Sequence, residues 1–128
     1  MDASCEHLIV PGLIDSPLKL QLVLLFCRHP HLHGDAGCLT NWLRESPWAL
    51  EEALDALARA GILAHIEQIG RTLYHLELST DTWPQLARLA LCYDDPLQRD
   101  EIYTLVHTAD HERQFRACLA GTAQPMVW

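Results

Sequence analysis

Lysine is almost missing from this sequence: Lys19 is the single example among nine basic residues, which face 17 acidic ones for a formal charge of -8. A surface that neutralises phosphates needs basic side chains to release condensed counterions, so this balance argues against general binding of nucleic acid. Only a local basic patch would escape that argument. The five cysteines, Cys5, Cys27, Cys38, Cys92 and Cys118, form no CxxC pair, which removes the commonest sequence signature of a zinc or redox centre. Several lie in apolar stretches, where a thiol behaves as a small hydrophobe. Near the start of the chain no basic region leads into a long apolar stretch, and with reduced thiols this predicts a cytoplasmic protein. The longest apolar run, Leu22 to Cys27, is far too short to cross a bilayer, so no membrane contact is expected. There is also no GxSxG, no Gly-rich phosphate loop and no HExxH, and neither an enzyme nor a cofactor is expected. Low-complexity segments and repeats are missing too.

What remains is 128 residues, 49% of them hydrophobic, enough to close one core. Residues 1–15 read as an arm: Leu8, Ile9 and Val10 are apolar, but Pro11 and Gly12 interrupt any helix. Ser16 followed by Pro17 offers a cap and a preset first turn for a helix to about Arg28, which is apolar nearly all round and therefore belongs at the centre of the fold. Asp35 can cap a second helix, Ala36 to Glu45, with Leu39, Trp42 and Leu43 at helical spacing. Ser46 and Pro47 repeat the cap-plus-proline signal. The third helix places Leu50, Ala53, Leu54 and Leu57 on one face and stops at Gly61.

Two alternating segments around Gly70 then predict a β-hairpin. A three-residue loop of Ile69, Gly70 and Arg71 would oppose Ile66 to Tyr74, Ala64 to Leu76 and Ile62 to Leu78, burying one clean face. That register is the expectation. Asp81 can cap a fourth helix, Thr82 to Tyr93, with Leu86, Leu89, Ala90 and Tyr93 as its stripe. Asp95 and Pro96 open a fifth, where Ile102, Leu105, Val106 and Ala109 share a face before the period slips ahead of Phe115, Cys118 and Leu119. This segment is one bent helix or two, ending at Gly121, with a tail over 122–128.

The stretch SPWALEEALDALARAGIL, Ser46 to Leu63, resembles the recognition-helix segment of winged-helix transcriptional regulators of the antibiotic-resistance and arsenic-repressor types. Leu50, Leu54, Leu57, Ala60, Gly61, Ile62 and Leu63 stand where those families build the helix core and its turn into the wing. The resemblance spans about residues 16 to 80 and implies an α+β, mostly helical fold: a winged helix-turn-helix of three helices and a two-stranded wing. Residues 81–121 would be a C-terminal helical extension. It also implies that the outer face of the third helix and the wing make the contacts, in DNA-binding relatives with the major groove and the phosphates.

The matching outer positions are Trp48, Glu51, Glu52, Asp55 and Arg59, three of them acids, and Asp55 is spaced to pair with Arg59. Such a face suits a protein partner better than phosphates, with Trp48 as an aromatic anchor inside a charged rim and Arg71 at the wing tip. The plainer alternative is that Trp48 packs back on the second helix or the arm and the acids are a solvated face. A DNA-binding regulator is the other functional class, dimerising through Leu86, Leu89, Ile102, Leu105 and Val106, as terminal helices do in regulators of this fold. A third is an acidic surface imitating nucleic acid. His29, His31 and His33 alternate beside Cys27, Asp35 and Cys38, all of them ligand types for zinc, yet a triplet within one loop lacks the two rigid elements that structural zinc sites draw on. In the expected register His65 and His75 face each other between Glu67 and Glu77. Both groups are expected to be polar surface rather than metal sites.

Overall fold

The helices begin where a short polar side chain meets a proline or an open turn. In the computed structural model of the chain, which describes residues 8–11, 13–79 and 81–122, the Ser16 hydroxyl accepts the Lys19 amide hydrogen at 3.2 Å and Pro17 takes the first helical position. Helix α1 runs over Pro17–Arg28 and buries Leu20, Leu22, Val23, Leu24 and Phe26. These positions encircle the helix, so it can only sit inside. It packs against the helices over 47–59, 82–93 and 96–122 and against the strand over 71–76.

Asp35 starts α2, Ala36–Leu43, its carboxylate accepting the Cys38 amide hydrogen at 2.8 Å. The helix ends two residues before the expected Glu45, because Arg44 turns left-handed at φ 56° and donates its amide hydrogen to the Thr40 carbonyl. Ser46 caps α3, Pro47–Arg59, whose Leu50, Ala53, Leu54 and Leu57 are buried. At its end Gly61 has φ 84°, its N–H reaches the Ala58 carbonyl, and the Ile62 N–H reaches that of Leu57. This paired closure satisfies the last carbonyls and aims the chain into the sheet.

Strands β1, Leu63–Gln68, and β2, Arg71–Leu76, pair antiparallel, but not in the expected register. Ile66 lies opposite Leu73, Ala64 opposite His75 and Leu63 opposite Leu76. The loop has two residues, Ile69 and Gly70, both at positive φ (49° and 73°). Two left-handed residues give a turn whose twist matches that of the strands, and Leu63 and Leu76 supply the buried pair that the longer loop was expected to provide. Arg71 is therefore the first residue of β2, not part of the tip, and His65 faces Tyr74 instead of His75. On the other edge of β2, Gly34 and Tyr74 exchange both backbone hydrogen bonds, at 3.0 and 2.8 Å.

Helix α4, Thr82–Tyr93, forms as expected, although Asp81 makes no capping bond: its own backbone is helical, so the carboxylate does not turn back to the first amides. Asp95 does cap, accepting the Leu97 amide hydrogen at 3.1 Å. Beyond it the chain forms one helix, α5, Pro96–Thr122, running a residue past the expected stop at Gly121. Residues 123–128 of the expected tail, and residues 1–7 and 12 of the arm, lie outside the described residues.

Leu86, Leu89, Ile102 and Val106 are buried in the chain's own core, and Leu105 packs against it. The dimerisation reading of these five needs correcting, since the faces of α4 and α5 that carry them already cover α1. Leu8, Ile9 and Ile14 of the arm belong to the same cluster. Beside them Asp15, only 1% exposed, binds Lys19 Nζ at 2.7 Å and has Arg113 Nε at 3.8 Å, while Arg113 Nη2 also pairs with Asp110 at 2.5 Å. Arm, α1 and α5 meet at that carboxylate. The fold is thus α+β and mostly helical, with five helices and a two-stranded antiparallel sheet among the described residues. No helix among them is long and apolar enough to cross a membrane.

Candidate functional site

Because α3 buries the face carrying Leu50, Leu54 and Leu57, its opposite face looks outward. Trp48, Glu51, Glu52 and Asp55 recur there at spacings of three and four, and all four line an open groove of about 850 Å³ between α3 and the sheet. Arg71, Thr72 and Tyr74 form the opposite wall, and Asp35 closes one end from the start of α2.

Trp48 is 74% exposed, so it does not pack back on the second helix or on the described residues of the arm. The expected pairing of Arg59 with Asp55 is present at 3.3 Å, with both side chains largely in solvent, where such a pair is worth little. Arg59 itself is not part of the groove lining. Arg71 leans to Asp35, Nη1 to Oδ2 at 3.4 Å, while the other oxygen of the same carboxylate caps α2. Among the described residues the groove has one guanidinium, which is therefore held by one of four lining carboxylates. Glu51 and Glu52, both exposed, have no ion pair among the described residues. Burial pushes the Tyr74 hydroxyl pKa up, and the neighbouring carboxylates of Asp55 and Glu51 push it the same way, so the phenol stays neutral and able to donate.

The hairpin tip is Ile69, wholly exposed, in place of the expected arginine. Asp35 and Tyr74 join this face in addition to the residues expected there. Their sequence separation from α3 leaves no pattern to read, and the expected register pairs Tyr74 with Ile66 instead.

The histidine-rich loop does not converge. His29 meets the edge of Trp42 at 6.5 Å between ring centroids, His31 is exposed, and His33 stacks on His75 at 4.8 Å. His65 lies 6.2 Å from the Tyr74 ring instead of beside His75. Among the described residues no group of three or more His, Cys, Asp or Glu could hold a metal ion. Cys38 is exposed, whereas burial pushes the Cys27 thiol up to about 12, which keeps it protonated and unreactive. At the corner of α4 and α5 the Tyr93 and Tyr103 hydroxyls bond to each other, and the Arg99 guanidinium lies 5.1 Å over the Tyr93 ring while its Nε donates to the Tyr93 carbonyl. These contacts tie the two helices together.

No protein-family model, curated protein or solved structure matches this chain.

Proposed function

We propose that this chain is a non-enzymatic binding module of the winged-helix type that contacts a protein partner through the outer face of α3 and the wing. The order of elements supports the fold reading: helix, a bridge at Gly34 where a first short strand would stand, two helices, and a hairpin. The observation that carries the functional reading is Trp48, 74% exposed within a groove edged by Glu51, Glu52 and Asp55. A large ring left in water and surrounded by charge is the usual anatomy of an interface anchor, because burying it on a partner contributes far more than any contact on the rim.

The same face is poorly suited to DNA. Its acids would meet phosphates with repulsion, and Arg59 and Arg71 are already paired with Asp55 and Asp35. A regulator reading paired half-sites would also need a dimer surface other than Leu86, Leu89, Ile102 and Val106, which the chain's own core encloses.

Anisotropy of random duplex DNA at low salt separates the two. The expected outcome is no saturable binding, with capture of a protein partner by the wild-type chain lost in the double variant Trp48→Ala, Glu52→Arg. DNA binding that collapses as salt rises would replace this reading with the regulator. Partner capture unchanged in the double variant would move the contact elsewhere on the surface.

A further inference from the structure

We infer that the groove between α3 and the wing takes an arginine side chain from an extended segment of the partner, its guanidinium stacked on the Trp48 ring and paired with Glu51 or Glu52. This rests on the protein-partner reading and names the chemistry of its central contact.

Helical spacing makes the first part of the argument. Glu51 and Glu52 follow Trp48 by three and four positions, so both carboxylates stand one turn along the face that carries the indole. A planar cation lying on that ring has carboxylate oxygens at its edge. Neither acid has an ion pair among the described residues, and the groove's own Arg71 is drawn aside by Asp35. The groove therefore offers charge that no described residue neutralises, next to a ring left largely uncovered.

Charge complementarity calls for a cation, and two further observations decide which kind. No set of three ligating side chains converges among the described residues, which disfavours a metal ion. The aromatic wall favours a cation that is weakly hydrated and flat. Guanidinium is both: it stacks on aromatic faces and presents a fork of donors to a carboxylate, whereas the lysine ammonium is compact and strongly hydrated. Tyr74, held neutral opposite Asp55 and Glu51, adds a hydroxyl on the facing wall. The volume, about 850 Å³, lies within the range of about 300–1,000 Å³ that accommodates a drug-sized ligand, so a stretch of peptide fits and not the side chain alone.

The test uses the whole chain, labelled with ¹⁵N, titrated with a capped glycine-serine peptide carrying alternating arginines and with its lysine counterpart. The Trp48 indole N–H is expected to shift with the arginine peptide at a midpoint about tenfold lower than with the lysine peptide. Trp48→Ala should remove that preference, and Glu51→Gln with Glu52→Gln should weaken binding of both peptides. All of these positions are exposed, so unshifted core amides report that each variant is folded. Equal binding of the two peptides, or an arginine preference that survives Trp48→Ala, overturns the proposal. If neither peptide binds while capture of the partner still depends on Trp48, the arginine assignment fails and the protein-partner reading stands. If capture is also indifferent to Trp48, both fail.

Discussion

Two groups of charged side chains in this molecule, each combining carboxylates with basic side chains, have opposite surroundings. Asp15 is 1% exposed and meets Lys19 and Arg113, and Arg113 in turn meets Asp110, so two acids and two bases close on one another where arm, α1 and α5 join. Among the described residues of the groove, four carboxylates face one guanidinium, and Glu51 and Glu52 lie open to water without an ion pair. Burying an unpaired carboxylate would cost far more than the fold gains from any single contact, so the buried acid recruits the chain's only lysine as well as an arginine. Exposed acids need no such partner for stability. Charge that folding requires is neutralised inside the chain, and charge left over is available to a partner.

The contrast breaks first at Asp15. Removing its carboxylate leaves the largely buried Lys19 ammonium without the anion it binds, while Arg113 keeps Asp110, and Asp15→Ala should lower the unfolding free energy by about 3 kcal/mol. Glu52→Ala, with nothing to lose, should stay within about 0.5 kcal/mol of the wild type. Urea melts of the two variants measure both. Similar losses would mean that the two groups are energetically alike and that the groove acids have a structural role.

A smaller effect is expected at the hairpin turn. Ile69 is a β-branched residue at φ 49°, a conformation it rarely adopts, and its side chain is wholly exposed to solvent. Ile69→Asn creates the Asn-Gly pair that such turns prefer, and thermal unfolding should show a stabilisation of about 0.5 kcal/mol. No gain, or a loss, would indicate that the turn differs from the one described.

The smallest expected effect concerns a carboxylate that is exposed yet satisfied. The Ser79 hydroxyl and amide both donate to Glu77 and hold its carboxyl below the usual range. A depressed acid contributes stability that is present above its unfolded pKa and lost as pH falls through the folded one. Ser79→Ala should therefore raise the Glu77 midpoint toward the ordinary glutamate value in an NMR titration, with little change in the melt at neutral pH. An unmoved midpoint would show that Ser79 does not hold this carboxylate.

Local chemistry explains which parts of this picture are readable in the sequence. Ser16, Asp35, Ser46 and Asp95 cap helices because the bond each makes lies within three residues, and Gly61 closes α3 for the same reason. Asp81 has the same side chain but the wrong backbone conformation, which its own sequence does not announce. The hairpin is legible and its register is not: the choice depends on an isoleucine entering left-handed space, and a one-residue slip turns every side chain to the other face. The apolar stripes of α4 and α5 mark faces to be covered without saying by what. The Trp48, Glu51, Glu52, Asp55 stripe can be seen as a row, whereas Asp35 and Tyr74, which complete the groove, arrive from distant parts of the chain.

By itself the amino-acid sequence determined where the helices start, that α1 lies at the centre, and that the outer face of α3 carries a tryptophan among acids. These features arise from interactions spanning three or four residues and from apolar periodicity. Only the tertiary structure decided that Leu86, Leu89, Ile102 and Val106 cover the chain's own α1, that Asp15 draws Lys19 and Arg113 inward, and that Arg71 turns to Asp35 and leaves Glu51 and Glu52 unneutralised. Each of those outcomes depends on which surfaces meet at a distance, and a pattern within one segment carries no information about the segment it will face.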